Sequence, residues 1–222
     1  MKRYKDRILH GVLWLFVGAF LIIAGLALYS ASVMKDLKEN IVRLHVVADS
    51  NDEEAQALKL KVRDSVAQYT AELLKDVESA EESYRILQMN MDKIQEIAQD
   101  RARAEGCSLP VTAQIGDFEF PVKSYGNITL PTGNYNAVRV TIGEGQGQNW
   151  WCVLFPPLCF VDAEATAVSA SGRAQLQENL SEETYAVIEN PPESEEIQIR
   201  FKVVDFFESI AQKARQTWTN LF

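Results

Sequence analysis

The chain has 222 residues, of which 47% are hydrophobic and 24% charged, a composition that excludes an intrinsically disordered protein. It carries 22 Lys and Arg against 31 Asp and Glu, a net charge of −9, so it lacks the basic surface that nucleic-acid binding requires and we expect no nucleic-acid partner. Its two histidines and three cysteines do not show the spacing of zinc motifs, and we expect no metal site.

The N-terminus combines a basic start with a long apolar run. Four Lys and Arg residues lie within residues 1–10, and the 19 residues from 11 to 29 carry no charge, which is long enough for a helix to cross a bilayer. The basic excess places residues 1–10 in the cytoplasm. The length favours an uncleaved membrane anchor, but the small residues at 30–32 would suit a signal peptidase, so anchor and signal peptide both stay open.

The remainder is expected to lie outside the cytoplasm, with residues 30–40 as a linker and residues 41–222 as one compact extracytoplasmic domain. Without the first 29 residues, the chain keeps 18 basic and 30 acidic side chains, a net charge of −12. Such a domain is repelled by anionic lipid head groups. We therefore expect the membrane to be contacted through residues 11–29.

The first half of the domain is predicted as a strand followed by two helices. Residues 41–48 alternate and are rich in β-branched side chains, which is typical of a strand. Polar residues 49–52 then offer helix-capping oxygens. The next helix has one apolar stripe, formed by Leu58, Val62, Val66, Tyr69 and Leu73. A second helix is predicted over about 80–105, ended by Gly106.

The second half is predicted to be mostly strands. Residues 111–122 and 135–142 alternate around turn residues 130–134, which indicates an antiparallel hairpin or meander, and a further strand covers 150–155. After a connector at 161–172, we predict a helix at 181–189, a strand at 197–203 and a helix at 206–222. The fold class is α+β, with antiparallel strands packed against amphipathic helices.

Motifs that could carry chemistry are weak. The glycine-rich residues 143–147 are followed by a strand and by no Lys-Ser/Thr pair, which favours a hairpin turn over a phosphate loop and indicates no cofactor. His45 lies among apolar residues, and no GxSxG or cysteine-protease signature is present, so no catalytic residue is predicted. The acidic pairs at 53–54, 81–82 and 182–183 begin helices, where the helix dipole accounts for them.

Residues 149–160 form the most informative segment. Cys152 and Cys159 flank a Pro-Pro turn in an oxidising compartment and are a candidate disulfide, which leaves Cys107 unpaired. Adjacent Trp150 and Trp151 on one strand point to opposite faces, so one of them is a candidate partner-binding anchor. Glu144, in the preceding turn, is a third candidate for partner binding.

Three blocks of the chain resemble a known family. They are VRLHVVADSNDEEAQALKLKVRDSV at 42–66, GNYNAVRVTIGEGQGQNWWCVLFPPLCF at 133–160 and IRFKVVDFF at 199–207, and they are similar to stage II sporulation protein R. The resemblance implies a non-enzymatic signal of endospore-forming bacteria, exported from the forespore into the intermembrane space. There it would activate a membrane-embedded aspartic protease of the mother-cell membrane, the stage II sporulation protease GA. That protease processes the pro-form of mother-cell sigma factor E.

Two other functions stay open from the residues alone. One is an exported cell-wall hydrolase with His45, Glu144 or Asp162 as its acid and base groups. The other is a passive membrane-assembly component.

Overall fold

The structure is a computed structural model, and it describes residues 2–158 and 170–189. Residues 1–35 and residues 36–191 belong to two different compact units. Residues 161–169 of the predicted connector at 161–172, the predicted strand at 197–203 and the predicted helix at 206–222 lie outside the described residues.

A long helix, α1, runs from Lys2 to Asn40 and contains the apolar run. By length and composition, its residues 10–40 could cross a membrane, and an export signal would pass the same test. Apolar side chains along it are exposed, including Trp14 at 70% and Leu15 at 74%. The helix continues through residues 30–40, for which the sequence predicted a linker.

The domain after this helix is built on a four-stranded sheet with the strand order β2-β5-β1-β6. The strands are β1 Val42–Val47, β2 Val111–Phe120, β5 Gly133–Ile142 and β6 Asn149–Phe155. A second sheet pairs β3 Lys123–Tyr125 with β4 Ile128–Leu130. Together with the helices described below, these sheets confirm the α+β prediction.

The four-stranded sheet is mixed, whereas the sequence predicted only antiparallel strands. β2 pairs with β5 and β1 pairs with β6 in antiparallel fashion, as expected, but β1 and β5 run parallel, with Leu44 opposite Val138. A parallel pair needs a long crossover, and the helices and strands between β1 and β5 supply it.

The helices of the domain are α2 Glu53–Leu74, α3 Ala80–Met89, α4 Met91–Ala104, α5 Ala170–Asn179 and α6 Glu182–Glu189. Asp52 caps α2 by accepting a hydrogen bond from the Ala55 N–H at 2.8 Å. The single helix predicted over 80–105 is two helices, because the Asn90 backbone leaves the helical conformation, with φ −107° and ψ 13°, while its side chain donates to the Ile86 carbonyl at 2.8 Å. α6 confirms the predicted helix at 181–189, and α5 was not predicted.

The hydrophobic core lies between one face of the sheet and helices α2, α3 and α4. Alternate strand residues such as Leu44 and Val138 meet the predicted stripe of α2, where Val62 and Val66 are fully buried. The opposite face of the sheet carries Arg43 and His45 and is contacted by Tyr125 of β3. Both faces are therefore covered, and the alternation along β1 places Val42, Leu44 and Val46 on the core face and its two polar residues, together with Val47, on the other.

Candidate binding groove

The two tryptophans of β6 lie on opposite faces of the sheet, as strand alternation requires. Trp150 is 37% exposed and packs under the Arg63 guanidinium of α2, whose carbon lies 4.2 Å from the ring centroid. Trp151 stacks on His45 with ring centroids 3.8 Å apart. One indole therefore remains partly open beside α2, while the other forms part of the aromatic packing on the far face.

An open groove of about 530 Å³ lies where α2, β3 and the start of β6 meet. This volume is in the range of pockets that bind small molecules or short peptide segments. Side chains from all three elements line it, among them Gln56, Lys59, Lys123, Tyr125, Asn149 and Trp151. We call this feature the β6 groove.

The β6 groove is basic within an acidic protein. Lys59 and Lys123 line it, and none of the described residues that line it is acidic. Lys59 is only 4% exposed, and its ammonium donates to Gln56 Oε1 at 2.6 Å and to the Gln148 carbonyl at 3.1 Å. Burial, and then the nearby Arg63, lowers the pKa of Lys59. The ammonium is thus held by neutral acceptors only.

A second cation lies beneath the groove. Arg43 is fully buried, and its guanidinium carbon lies 4.0 Å from the Phe120 ring centroid and 4.8 Å from that of Tyr135. Its Nη2 donates to the Tyr125 hydroxyl at 2.7 Å, whereas Nη1 has no hydrogen-bond partner. Tyr125 also donates to the Trp151 carbonyl at 3.2 Å, so it links Arg43 to the groove wall.

His45 is a buried neutral imidazole. It is 6% exposed, and its Nε2 lies 2.8 Å from Asn149 Oδ1. Burial, followed by repulsion from Arg139 and Arg43, lowers the pKa of His45 to about 4, although the hydrogen bond to Asn149 opposes the shift. The neutral ring therefore donates from Nε2 to Asn149 and leaves Nδ1 without a partner. The hydrogen-bonding and ring contacts of His45 involve no carboxylate within the described chain, so a relay for acid-base chemistry is missing there.

The predicted hairpin turn at residues 143–147 is wrong. β5 and β6 do not pair, because β1 lies between them, and the segment instead crosses the end of β1. Gly147 N–H donates to the Ala48 carbonyl at 2.9 Å, and Gln146 N–H donates to the Asp49 carbonyl at 3.0 Å. Glu144 is exposed on this crossing, and its N–H donates to Asp49 Oδ1.

The remaining candidates divide between the described and undescribed parts of the chain. Cys152 is disulfide-bonded and Cys107 is free. Cys159 and Asp162 lie outside the described residues, so the pairing of Cys152 with Cys159 stays a prediction. In the described ranges, no group of three or more His, Cys, Asp or Glu side chains could hold a metal ion.

Sequence reasoning missed most of the groove. The predicted site residues included Trp150 and Trp151 but neither the groove residues Lys59, Lys123 and Tyr125 nor Arg43 beneath them. One signal was available for Arg43, because it is a charged residue in a strand whose other residues, apart from His45, are valine and leucine. Nothing in the local sequence indicated that Lys59 and Lys123 would line the same cavity.

An apolar N-terminal helix followed by an α+β domain fits a membrane-attached or exported protein. The family model of stage II sporulation protein R matches residues 38–165, more than half of the chain, and the chain belongs to this family. Stage II sporulation protein R of Bacillus subtilis (strain 168) is 38% identical to it over 126 residues, which are 57% of this chain and 56% of that protein. The match thus spans little more than half the length of this relative. No solved structure matches the chain.

Proposed function

We propose that this protein is an exported sporulation signal that activates a membrane-embedded aspartic protease, the stage II sporulation protease GA, which then processes the pro-form of mother-cell sigma factor E. The observation that carries the proposal is the family match, which covers the domain from the end of α1 to beyond β6. The apolar helix α1 supports export from the forespore into the intermembrane space, either as an anchor or as a cleaved signal.

The mechanism we propose is differential binding. A ligand that binds the active form of the protease more tightly than the inactive form shifts the population toward the active form. A shift from 1:99 to 99:1 requires a preference of about 5.5 kcal/mol, which a few buried anchors can supply. The domain has a surface suited to such binding in the β6 groove, which combines two lysines with aromatic rings.

The structure gives the hydrolase alternative little support. His45 is buried, neutral at pH 7 and stacked on Trp151, whereas an acid-base group must reach its substrate. Glu144 is exposed on the loop that crosses the end of β1, whereas catalytic carboxylates usually lie in apolar pockets. A binding function requires no proton transfer from either residue.

Co-expression in a non-sporulating bacterium tests the proposal. The full chain, the protease and the pro-sigma factor are expressed together, and processing is scored by immunoblot. We expect processing only when all three proteins are present, and none with a protease that lacks a catalytic aspartate.

A double variant, His45→Gln with Glu144→Gln, separates signalling from hydrolysis. A ligand that folds should still trigger processing with both groups replaced, and a hydrolase should not. Processing that occurs without this chain would remove the signalling function altogether.

A further inference from the structure

We infer that the β6 groove binds an extended, carboxylate-rich segment of a protein partner. The inference deepens the proposed signalling function by naming the surface and the chemistry of its partner, and it rests on that function only for the partner's biological identity. Neither the family match nor the relative assigns a binding surface to this domain.

Charge is the first argument. The chain has a net charge of −9, yet Lys59 and Lys123 both line the groove and no described acidic side chain does. An unpaired charge is costly to keep away from water, and the cost is recovered when an opposite charge binds. Lys59 meets this condition, because it is 4% exposed and is held only by the neutral acceptors Gln56 and Gln148. A carboxylate from a binding partner would supply the negative charge that the groove lacks.

The layer beneath the groove strengthens the argument. Arg43 is fully buried, its Nη1 has no partner, and within the described residues it forms no ion pair with a carboxylate. Its other terminal nitrogen is bonded to Tyr125, which lines the groove. Because Coulomb attraction is weakly screened away from water, this charge adds to the positive potential at the groove.

The shape and the neutral side chains favour a peptide over a small anion. The groove is open and about 530 Å³ in volume, several times what a phosphate ion fills. The Gln148 side-chain amide and the Asn149 Nδ2 group can exchange hydrogen bonds with a peptide backbone, whereas the Gln56 amide is already bonded to Lys59 and to the Ser50 carbonyl. Trp150 and Trp151 add rigid apolar surface of the kind enriched at protein interfaces. Nucleic acid is disfavoured by the acidic remainder of the protein.

Fluorescence anisotropy tests the inference with the full chain in detergent micelles. The probe is fluorescein-labelled hexaglutamate, with labelled hexaglutamine as the uncharged control. We expect saturable binding of hexaglutamate that weakens with added salt, and no binding of hexaglutamine. Lys123→Glu should weaken the binding by at least about tenfold, because it replaces an attraction with a repulsion.

Lys93→Glu is the matched control, since Lys93 is an exposed lysine of α4 that pairs with Glu96 and does not line the groove. It makes the same change in net charge and should alter affinity by less than about twofold. Equal weakening by both variants would show non-specific attraction and overturn the inference, as would the absence of saturable hexaglutamate binding.

Inorganic phosphate serves as a competitor. If micromolar phosphate displaced the peptide completely, the groove would be a small-anion site and the inference would fail. Because the assay contains no protease, a negative result here removes the groove proposal alone, whereas the co-expression assay decides activation independently.

Discussion

Arg43 and His45 lie on the same face of β1, and both are buried. The Arg43 guanidinium stacks on Phe120 and donates to Tyr125, while the histidine stays neutral because burial and neighbouring cations oppose its protonation. Two adjacent positive charges on one face are thereby avoided. This arrangement makes His45 the residue whose charge state most directly connects pH to stability.

We predict that acidification from pH 7 to pH 5 destabilises the protein through His45. The pKa of this group is about 4 in the folded state and near 6.5 when unfolded, so only the unfolded state gains a proton in this range. The free energy of unfolding therefore decreases as pH falls below 6.5, and the decrease is complete below pH 4. At pH 5 it amounts to roughly 2 kcal/mol. Urea unfolding at the two pH values measures it.

His45→Gln is the control for this prediction, because glutamine does not titrate. Carboxylates contribute to the pH dependence of both proteins, so the difference between the variant and the wild type isolates His45. An identical pH dependence in the two proteins would contradict a lowered pKa.

Replacing each tryptophan by alanine should lower the stability of the protein by different amounts. Trp151→Ala removes stacking on His45 and contact with Phe120, and should cost about 3–5 kcal/mol of stability. Trp150→Ala removes a side chain that is 37% exposed and should cost only about 1–2 kcal/mol. Thermal melts and immunoblots of protein level measure the difference.

The same variants bear on signalling. If the β6 groove contacts the protease, Trp150→Ala should accumulate normally and yet fail to trigger sigma-factor processing. Normal processing by this variant at wild-type abundance would mean that the contact surface lies elsewhere.

At the scale of elements, the segment between β5 and β6 joins the sheet to the groove. It crosses the end of β1, where backbone hydrogen bonds to Ala48 and Asp49 hold it, and then delivers Gln148, Asn149 and Trp150 to the groove. Gly147 lies where this crossing packs directly against another stretch of backbone, because a Cβ there would overlap the Ser50 carbonyl and lie 2.9 Å from the Ala48 Cβ.

Gly147→Ala is therefore predicted to lower stability by about 2 kcal/mol or more, since the backbone must shift to admit the methyl group. Gly116→Ala in β2 is the control, because its new Cβ would meet only the Phe118 ring at an ordinary 3.8 Å. The control should stay within about 1 kcal/mol of the wild type. Equal melting temperatures of the two variants would show that the crossing is not tightly packed.

At the scale of the whole molecule, the charge asymmetry around α1 predicts orientation. Four basic residues precede the apolar run, so the N-terminus should stay in the cytoplasm and the domain should lie outside. An alkaline phosphatase reporter fused after Phe222, which is active only outside the cytoplasm, should be active in a Gram-negative bacterial host. Deletion of residues 1–29 should silence it, and an inactive reporter on the stable full-length fusion would reverse the assigned orientation.

Features that depend on neighbouring residues could be predicted from the sequence. The apolar run of α1, the alternation of β2 and β5, the apolar stripe of α2 and its Asp52 cap each depend on side chains a few positions apart. The membership of the family was also evident from contiguous blocks of residues. The break at Asn90 was missed because both flanking segments continue the same apolar period.

Strand order and the groove were decided by the tertiary structure. The parallel pairing of β1 with β5 joins segments that are distant in sequence, and it places β1 between β5 and β6. The glycine-rich residues 143–147, which have the composition of a hairpin turn, therefore cross the end of β1 instead of joining two paired strands. The same packing brings Lys59 of α2 and Lys123 of β3 to one cavity beside Trp151. The two lysines come together because α2 covers one face of the sheet and β3 covers the other. This packing depends on residues far apart in sequence, and no local pattern of residues encodes it.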